Sequence, residues 1–456
     1  MITQQYKTTK LLHLKNMSIK LKPLLITLLL PALLFNSKLR GQDRVITLNE
    51  AIKLGLQNSK VLKLSQSKID AAVSQYNQTK DLNKPNASAS LGFNQAEIPV
   101  NTLSLGKLNL ALPPNNTAWL GTVSASEVIF NGNKFKYAQE STELLTQVSR
   151  LDADLNKDEI AYSIISAYYT LYKVTQSKKV VEQNLATIDG QIKQSQRFFE
   201  QGLVTKNDVL RFQLQRANVE LNGIDLETNR KIVNYNLNIL LGLPETTQLK
   251  VETIADATKP LNPVTNYLDT ALANRTELKQ WDLRGQVSDK NINSILANQK
   301  PTLAASATGY LINTKFNPIP QSGSAITPLV LGLNLSWNFA TIWTNKNKVA
   351  QARIEREEVD INKSILVDNI KREVNQNYQS YDMAINKINL LQTSIAQAGE
   401  NNKILESKYK SNIASATDRA DAQTLLYQAE INLELAKADA GLAYYTLLKS
   451  TGKLNK

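Results

Sequence analysis

The 456-residue chain has no cysteine and a single histidine, His13. Those two gaps exclude much chemistry. The body of the chain cannot assemble a thiolate or imidazole metal site, nor any nucleophile activated by histidine. Aromatic residues make up only 6% of the sequence, too few for a wide core packed on rings. No run approaches the roughly 20 apolar residues of a spanning helix. The formal charge of +13 suggests a nucleic-acid binder until it is located. Residues 1–41 hold seven Lys or Arg and no acid, which leaves 46 bases against 40 acids over the rest. An excess of six scattered charges is a solvated surface rather than a nucleic-acid footprint.

One stretch also lacks proline altogether. From Lys134 to Glu200 the only glycine is Gly190, and apolar residues recur at steps of four and three: Leu144, Val148, Leu151, Leu155, then Tyr162, Ile165, Tyr169 and Tyr172, with Val181, Leu185, Ile188, Ile192 and Phe199 in a second phase. That is a heptad, the pattern of a helix buried along a narrow seam. At about 1.5 Å per residue it predicts a rod of roughly 100 Å. The tyrosines at 162, 168, 169 and 172 are read as packing between helices, not as a binding stripe. The rod stops at Gly202, and Thr205 with Asp208 three residues on predicts the N-cap of a return helix carrying Leu210, Leu214, Ala217, Leu221 and Ile224. Leu241-Gly242-Leu243-Pro244 ends it.

Upstream, Lys20 and Lys22 followed by the apolar Leu24–Phe35 and a small Gly41 form a secretory signal over residues 17–41, too short to anchor in a bilayer, with Met17 an alternative start. Thr47-Leu48-Asn49-Glu50 opens an amphipathic helix to about Lys80. Past Pro85 the period changes to two: Ala87, Ala89, Leu91 and Phe93 alternate with Ser88, Ser90, Gly92 and Asn94, a strand with one apolar and one polar face. Residues 95–118 are expected to be a long loop, and Trp119–Ile129 a second strand. Leu303–Ile312 and Leu329–Phe339 make another such pair around a loop with Pro318, Pro320 and Ser322-Gly323-Ser324. Trp119, Trp337 and Trp343 fall near strand ends, where aromatic rings favour a membrane interface.

The order then repeats. Asn58 and Asn274 lie 216 apart, as do Lys84-Pro85 and Lys300-Pro301; Ala138-Gln139 and Ala350-Gln351 lie 212 apart. Phe199, Thr205, Asp208, Gln213, Glu220, Asn222 and Gly242 match Tyr409, Ser415, Asp418, Gln423, Glu430, Asn432 and Gly452 at 210. A nearly constant offset predicts an internal duplication: a signal peptide over 1–41, a first helix-strand-strand-helix repeat over 42–243, a connector over 244–265 and a second repeat over 266–456. Four amphipathic strands in a secreted chain fit a membrane β-barrel with a wet interior. Four cannot close one, because the smallest known barrels use eight, so several copies must share it. A structural or adhesive coiled-coil surface protein is the rival reading, disfavoured because a stalk has no use for lipid-facing strands. An enzyme is excluded by the missing histidine, cysteine and carboxylate dyad.

The duplicated strands and long helices, the turns near Gly202 and Asn412, and the Ala-x-x-Asn sequence at Asn274 resemble the TolC-like outer-membrane efflux family, the outer membrane factors. The resemblance covers residues 46–452. It implies a mainly α protein with a membrane β-barrel: a homotrimer with a twelve-stranded barrel in outer-membrane lipid, continued by an α-helical barrel through the periplasm. It further implies an exit duct of a tripartite efflux or type I secretion system, working with a periplasmic adaptor (membrane fusion) protein and an inner-membrane RND, ABC or MFS pump, with no cofactor. Residue by residue, Gly202, Leu203, Val204 and Thr205, with Asn412, Ile413, Ala414 and Ser415, match the tip where the adaptor docks. Asp418 and Asp421 match an acidic ring at the constriction, and Tyr409 a tyrosine that holds the tip closed. The arginine of that closing network is replaced by Ala414.

Overall fold

The computed structural model describes residues 43–97, 99, 102–111, 115–252, 258–314 and 325–454. The expected signal segment 1–41 with Met17 and His13, and the loop residues Pro113, Pro114, Pro318, Pro320 and Ser322-Gly323-Ser324, lie outside them. Residues Arg44–Lys456 form one compact unit.

Strand β1 (Asp43–Ile46) leads into helices α1 (Leu48–Asn58) and α2 (Lys60–Asp81), then strands β2 (Asn86–Glu97), β3 (Thr102–Leu105), β4 (Leu108–Ala111) and β5 (Asn115–Phe130). Long helices α3 (Lys134–Glu200) and α4 (Lys206–Leu241) follow. Strand β6 (Gln248–Val251) and helices α5 (Val264–Asn274) and α6 (Thr276–Ala297) precede strands β7 (Thr302–Thr314), β8 (Ala325–Ile326) and β9 (Leu329–Ser336). Helices α7 (Thr341–Lys410) and α8 (Ala416–Ser450) complete the chain. No described helix is long and apolar enough to cross a membrane.

The helix predicted over residues 134–200 has those bounds. The first helix, expected to be continuous to about Lys80, is broken at Ser59, whose Oγ accepts from the Leu62 amide at 3.2 Å and starts α2 afresh. The expected loop over 95–118 is mostly structure. Strand β2 runs to Glu97, β3 and β4 pair as a hairpin, and β5 begins at Asn115. Strand β9 stops at Ser336, so Trp337 and Phe339 stand beyond it.

The large sheet has the order β2-β5-β7, with β8 and β9 pairing successive parts of the other edge of β7, all antiparallel. Its register places Leu91 opposite Gly121, Gly121 opposite Leu311, and Ala307 opposite Leu331. On this face Leu329, Leu331, Leu333 and Leu335 are at least 70% exposed. On the other face hydroxyls bond across strands, Ser88 to Ser124 at 2.9 Å and Ser90 to Thr122 at 2.7 Å. The β5–β7 register shifts between Val128 and Phe130, just before α3 begins.

Around α1, Ile46, Ala51, Ile164, Tyr168, Leu171, Leu237, Leu241 and Leu249 form a buried cluster. Tyr168 Oη donates to the Ile46 carbonyl at 3.1 Å and accepts from the Glu252 amide at 3.2 Å, tying the small β1–β6 sheet to α3. Tyr169 and Tyr172 are buried as well, in agreement with the packing reading. The two asparagines of the sequence offset have a structural role. Gly242, at φ +68°, ends α4, and a Cβ there would come within 2.7 Å of the Asn58 Cβ. Asn58 Nδ2 donates to the Leu241 carbonyl at 2.7 Å, satisfying a helix end that lacks an intrahelical partner. Gly452, at φ +70°, stands likewise against Asn274.

One pattern differs from expectation. The heptad residues Leu210, Leu214, Leu221 and Ile224 of α4 are 49–65% exposed, and the helix buries Val209, Phe212, Val219, Leu237 and Leu241 instead. Helix α7 likewise exposes Ile354, Ile361 and Ile365. The heptad is real, but its apolar stripe faces away from this chain. Phe199 is also 39% exposed.

Candidate functional site

The expected tip residues lie at the turns of the two long hairpins, α3–α4 and α7–α8. Both turns solve the problem of stopping a helix in the same way. Gly202 takes φ +72° and Asn412 φ +59°, the left-handed region open to glycine and tolerated by asparagine. The Gly202 and Leu203 amides donate to the Phe199 and Phe198 carbonyls at 2.9 and 2.8 Å; the Asn412 and Ile413 amides donate to Tyr409 and Lys408 at 3.0 and 2.8 Å. Each return helix then opens on a capping carboxylate. Asp208 Oδ2 accepts from the Thr205 amide and hydroxyl, both at 2.8 Å. Asp418 Oδ2 accepts from the Ser415 amide at 3.1 Å and hydroxyl at 2.7 Å, while its own amide donates to Ser415 Oγ at 3.1 Å. These bonds hold the Asp418 carboxyl below its ordinary pKa. Between cap and stop each turn leaves an apolar residue in the open, Leu203 at 48% and Ile413 at 75% exposure, with Val204 and Ala414 half-buried.

Behind the turns the chain gathers residues from all four long helices. Tyr409 is buried against Phe198 and Phe212, with ring centroids 5.8 and 5.9 Å away, and Ala416 and Ala420 complete the cluster. Burial raises the pKa of its phenol, with the facing Ser195 hydroxyl opposing the shift; the two hydroxyls stop short of hydrogen-bonding geometry. Asp418 and Asp421 share one exposed face of α8, and Leu425 a turn further on is 59% exposed.

Sequence reasoning missed three residues here. Arg419 is buried between α7 and α8, donating to Asn402 Oδ1 and lying 3.6 Å from Glu406. Burial lowers its pKa and Glu406 pulls it back up. Its counterpart at the 210-residue offset is Val209, so a charge in an apolar slot was the available signal. The tip therefore contains an arginine, five residues past Ala414. Arg211 donates to Thr417 Oγ1, and Gln215 Nε2 to the Ala420 carbonyl at 3.2 Å and Thr424 Oγ1 at 3.1 Å. These bonds join one hairpin to the other.

A family model for outer membrane efflux proteins matches residues 51–243 and again 267–453. The chain belongs to the outer membrane efflux protein family. Among its relatives, outer membrane efflux protein BepC of Brucella suis biovar 1 (strain 1330) is 22% identical over 415 residues, covering 86% of each chain. Outer membrane protein TolC of Escherichia coli (strain K12) is 21% identical over 352 residues, covering 75% of this chain and 71% of that one. The fold is similar to that of the outer membrane protein VceC of Vibrio cholerae, with a TM-score of 0.73 at 16% identity over 89% of this chain and 96% of the other. The protein is thus an outer membrane efflux channel of a Gram-negative bacterium, with its helices in the periplasm. The family is one of ducts rather than enzymes, and it does not favour the adhesive-stalk reading.

Proposed function

We propose that three copies form the exit duct of a tripartite efflux or type I secretion system, passing cargo from an inner-membrane pump to the exterior without chemistry of its own. One observation carries the reading: the sheet has an apolar face and two outer edges, on β2 and β9, that no described strand pairs. In hydrocarbon every backbone N–H and C=O must be bonded, so these edges require strands from neighbours. Because β8 and β9 lie along one edge of β7 and share a single strand position, each copy offers four positions, and three copies give a twelve-stranded barrel. The exposed apolar stripes of α4 and α7 supply matching seams for a helical barrel below it. The 216-to-210 offsets and the recurring order of elements support descent from a duplicated unit, with residues 42–243 and 266–456 as its halves and 244–265 as connector.

The turns are the docking sites for a periplasmic adaptor, through Gly202, Leu203, Val204, Thr205, Asn412, Ile413, Ala414 and Ser415. Their support is the pair of exposed apolar side chains at positions where capping alone needs none. Around a threefold axis Asp418 and Asp421 contribute six carboxylates to a cation-selective constriction, and buried Tyr409 anchors the closed tip.

Purified protein should run as a heat-labile trimer and conduct in planar bilayers; a water-soluble monomer overturns the duct. Asp418→Ala with Asp421→Ala should weaken cation selectivity, and unchanged selectivity removes the ring.

A further inference from the structure

The apolar face of the sheet is not smooth. A groove of about 670 Å³ runs between β5, β7 and β9, lined by Ala125, Ala305, Ala307, Leu331 and Leu333, with Pro85 at the end nearest the helices. Basic residues collect around that end. Lys84 precedes β2, Lys134 opens α3, Lys300 precedes β7, and Lys346 and Lys348 lie near the start of α7. Lys84 is matched by Asp81 at 2.6 Å, and Glu140 is shared by Lys136 at 4.0 Å and Lys290 at 2.8 Å. Lys134, Lys300, Lys346 and Lys348 are exposed and make no ion pair among the described residues. Glu127, which also lines the groove, is the acid to set against them.

Two contacts bring this patch to a focus. A Cβ on Gly132 would come within 2.8 Å of the Lys300 Cβ, so the β5–α3 turn that leads to Lys134 is pressed against Lys300. Trp337 Nε1 donates to the Gln299 carbonyl at 3.0 Å, which fixes its 46%-exposed ring beside the same lysine, and Phe339 stacks near it at 4.4 Å. Unneutralised ammonium groups at one end of a sheet repel one another, and an anionic surface relieves that repulsion. Tryptophan held at the edge of an apolar face is the arrangement of a headgroup boundary.

We propose that each chain binds an anionic glycerophospholipid of the leaflet nearest the helices. Its acyl chain lies in the groove, its phosphate meets Lys134 and Lys300, and Trp337 sits at headgroup level. The proposal rests on the membrane reading of the sheet and adds a lipid class and named residues to it. A lysine near an anionic lipid surface contributes about 1 kcal/mol, a preference of about five-fold.

The test uses full-length trimer in vesicles of phosphatidylcholine with brominated phosphatidylglycerol or brominated phosphatidylcholine at equal mole fraction, reading quenching of tryptophan fluorescence. The expected result is a several-fold preference for phosphatidylglycerol that falls towards unity in the Lys134→Gln, Lys300→Gln double variant, checked for trimer by its heat-labile band. The preference of the wild type should also fall at high salt, which needs no variant. Equal quenching by the two lipids, or a preference that survives both the double variant and salt, overturns the proposal. Conductance of the same wild-type preparation reports separately on the duct.

Discussion

The two helical turns share their backbone solution and differ in what stands behind it. Gly202 and Asn412 adopt the same left-handed conformation, and Thr205–Asp208 and Ser415–Asp418 make the same capping pair. Behind the first turn the slot at 209 is filled by a buried valine; behind the second, the corresponding slot holds the Arg419 guanidinium, 4% exposed. At the matched pair 199 and 409 the two differ in exposure instead, Phe199 being 39% exposed and Tyr409 2%. At the 209/419 slot the first hairpin is held by hydrocarbon. The other depends on a desolvated cation that Asn402 and Glu406 must compensate, so its stability is conditional on partners in α7.

The largest effect should come from removing that cation without refilling its space. Arg419→Ala is expected to destabilise the second turn by about 3 kcal/mol, seen as faster amide exchange over residues 405–420, whereas Arg419→Met should cost less than about 1 kcal/mol. Equal damage by both would mean that charge, not volume, is what the slot requires. Next, Gly202→Val forces a β-branched residue to φ +72° and should cost about 2 kcal/mol, with Asn412→Gly nearly neutral. Proteolytic nicking at each turn measures this. Loss of the caps is smaller: Thr205→Ala and Ser415→Ala should each cost about 1 kcal/mol, and a clearly larger loss in Ser415→Ala would show that the second turn has less in reserve.

The pH response is the mildest contrast. Because the folded Asp418 carboxyl lies below its ordinary value, its cap is fully stabilising above about pH 3.9 and weakens as pH falls through the lower folded value. Within the first hairpin, Arg230 and Lys178 hold Glu227 down to about 2. That clamp is intact above about pH 4.3 and is lost between there and about pH 2. Nicking at 411–415 should rise as pH falls below about 3.9, and contact between α3 and α4 should loosen as it falls from about 4.3.

Much of this was legible in the chain. Heptads, a change of period after each proline and glycine stops gave both ends of α3, the start of α4 and the partnership of β7 with β9. What escaped depends on surroundings. The β3–β4 hairpin has too few residues to carry a period, and the break at Ser59 rests on one hydroxyl. Leu210, Leu214, Leu221 and Ile224 were visible as a stripe, but the sequence does not say whether a stripe faces its own chain or another. At the tip the turns and caps were readable from glycine, asparagine and hydroxyl-to-carboxylate spacing. Arg419 was not, because its burial is made by Asn402 and Glu406 one helix away.

The slipped register between Val128 and Phe130 has a mechanical consequence. An inserted residue bends its strand and tightens the local twist. In the proposed duct, barrel strands run oblique to the pore axis, while rods bundled below run nearly along it. Placing the kink one turn ahead of α3 changes the heading of the polypeptide inside the sheet, where β5 stays paired with β7 on both sides of the slip, so in the proposed duct the chain turns towards the helices at a held elbow rather than a free hinge.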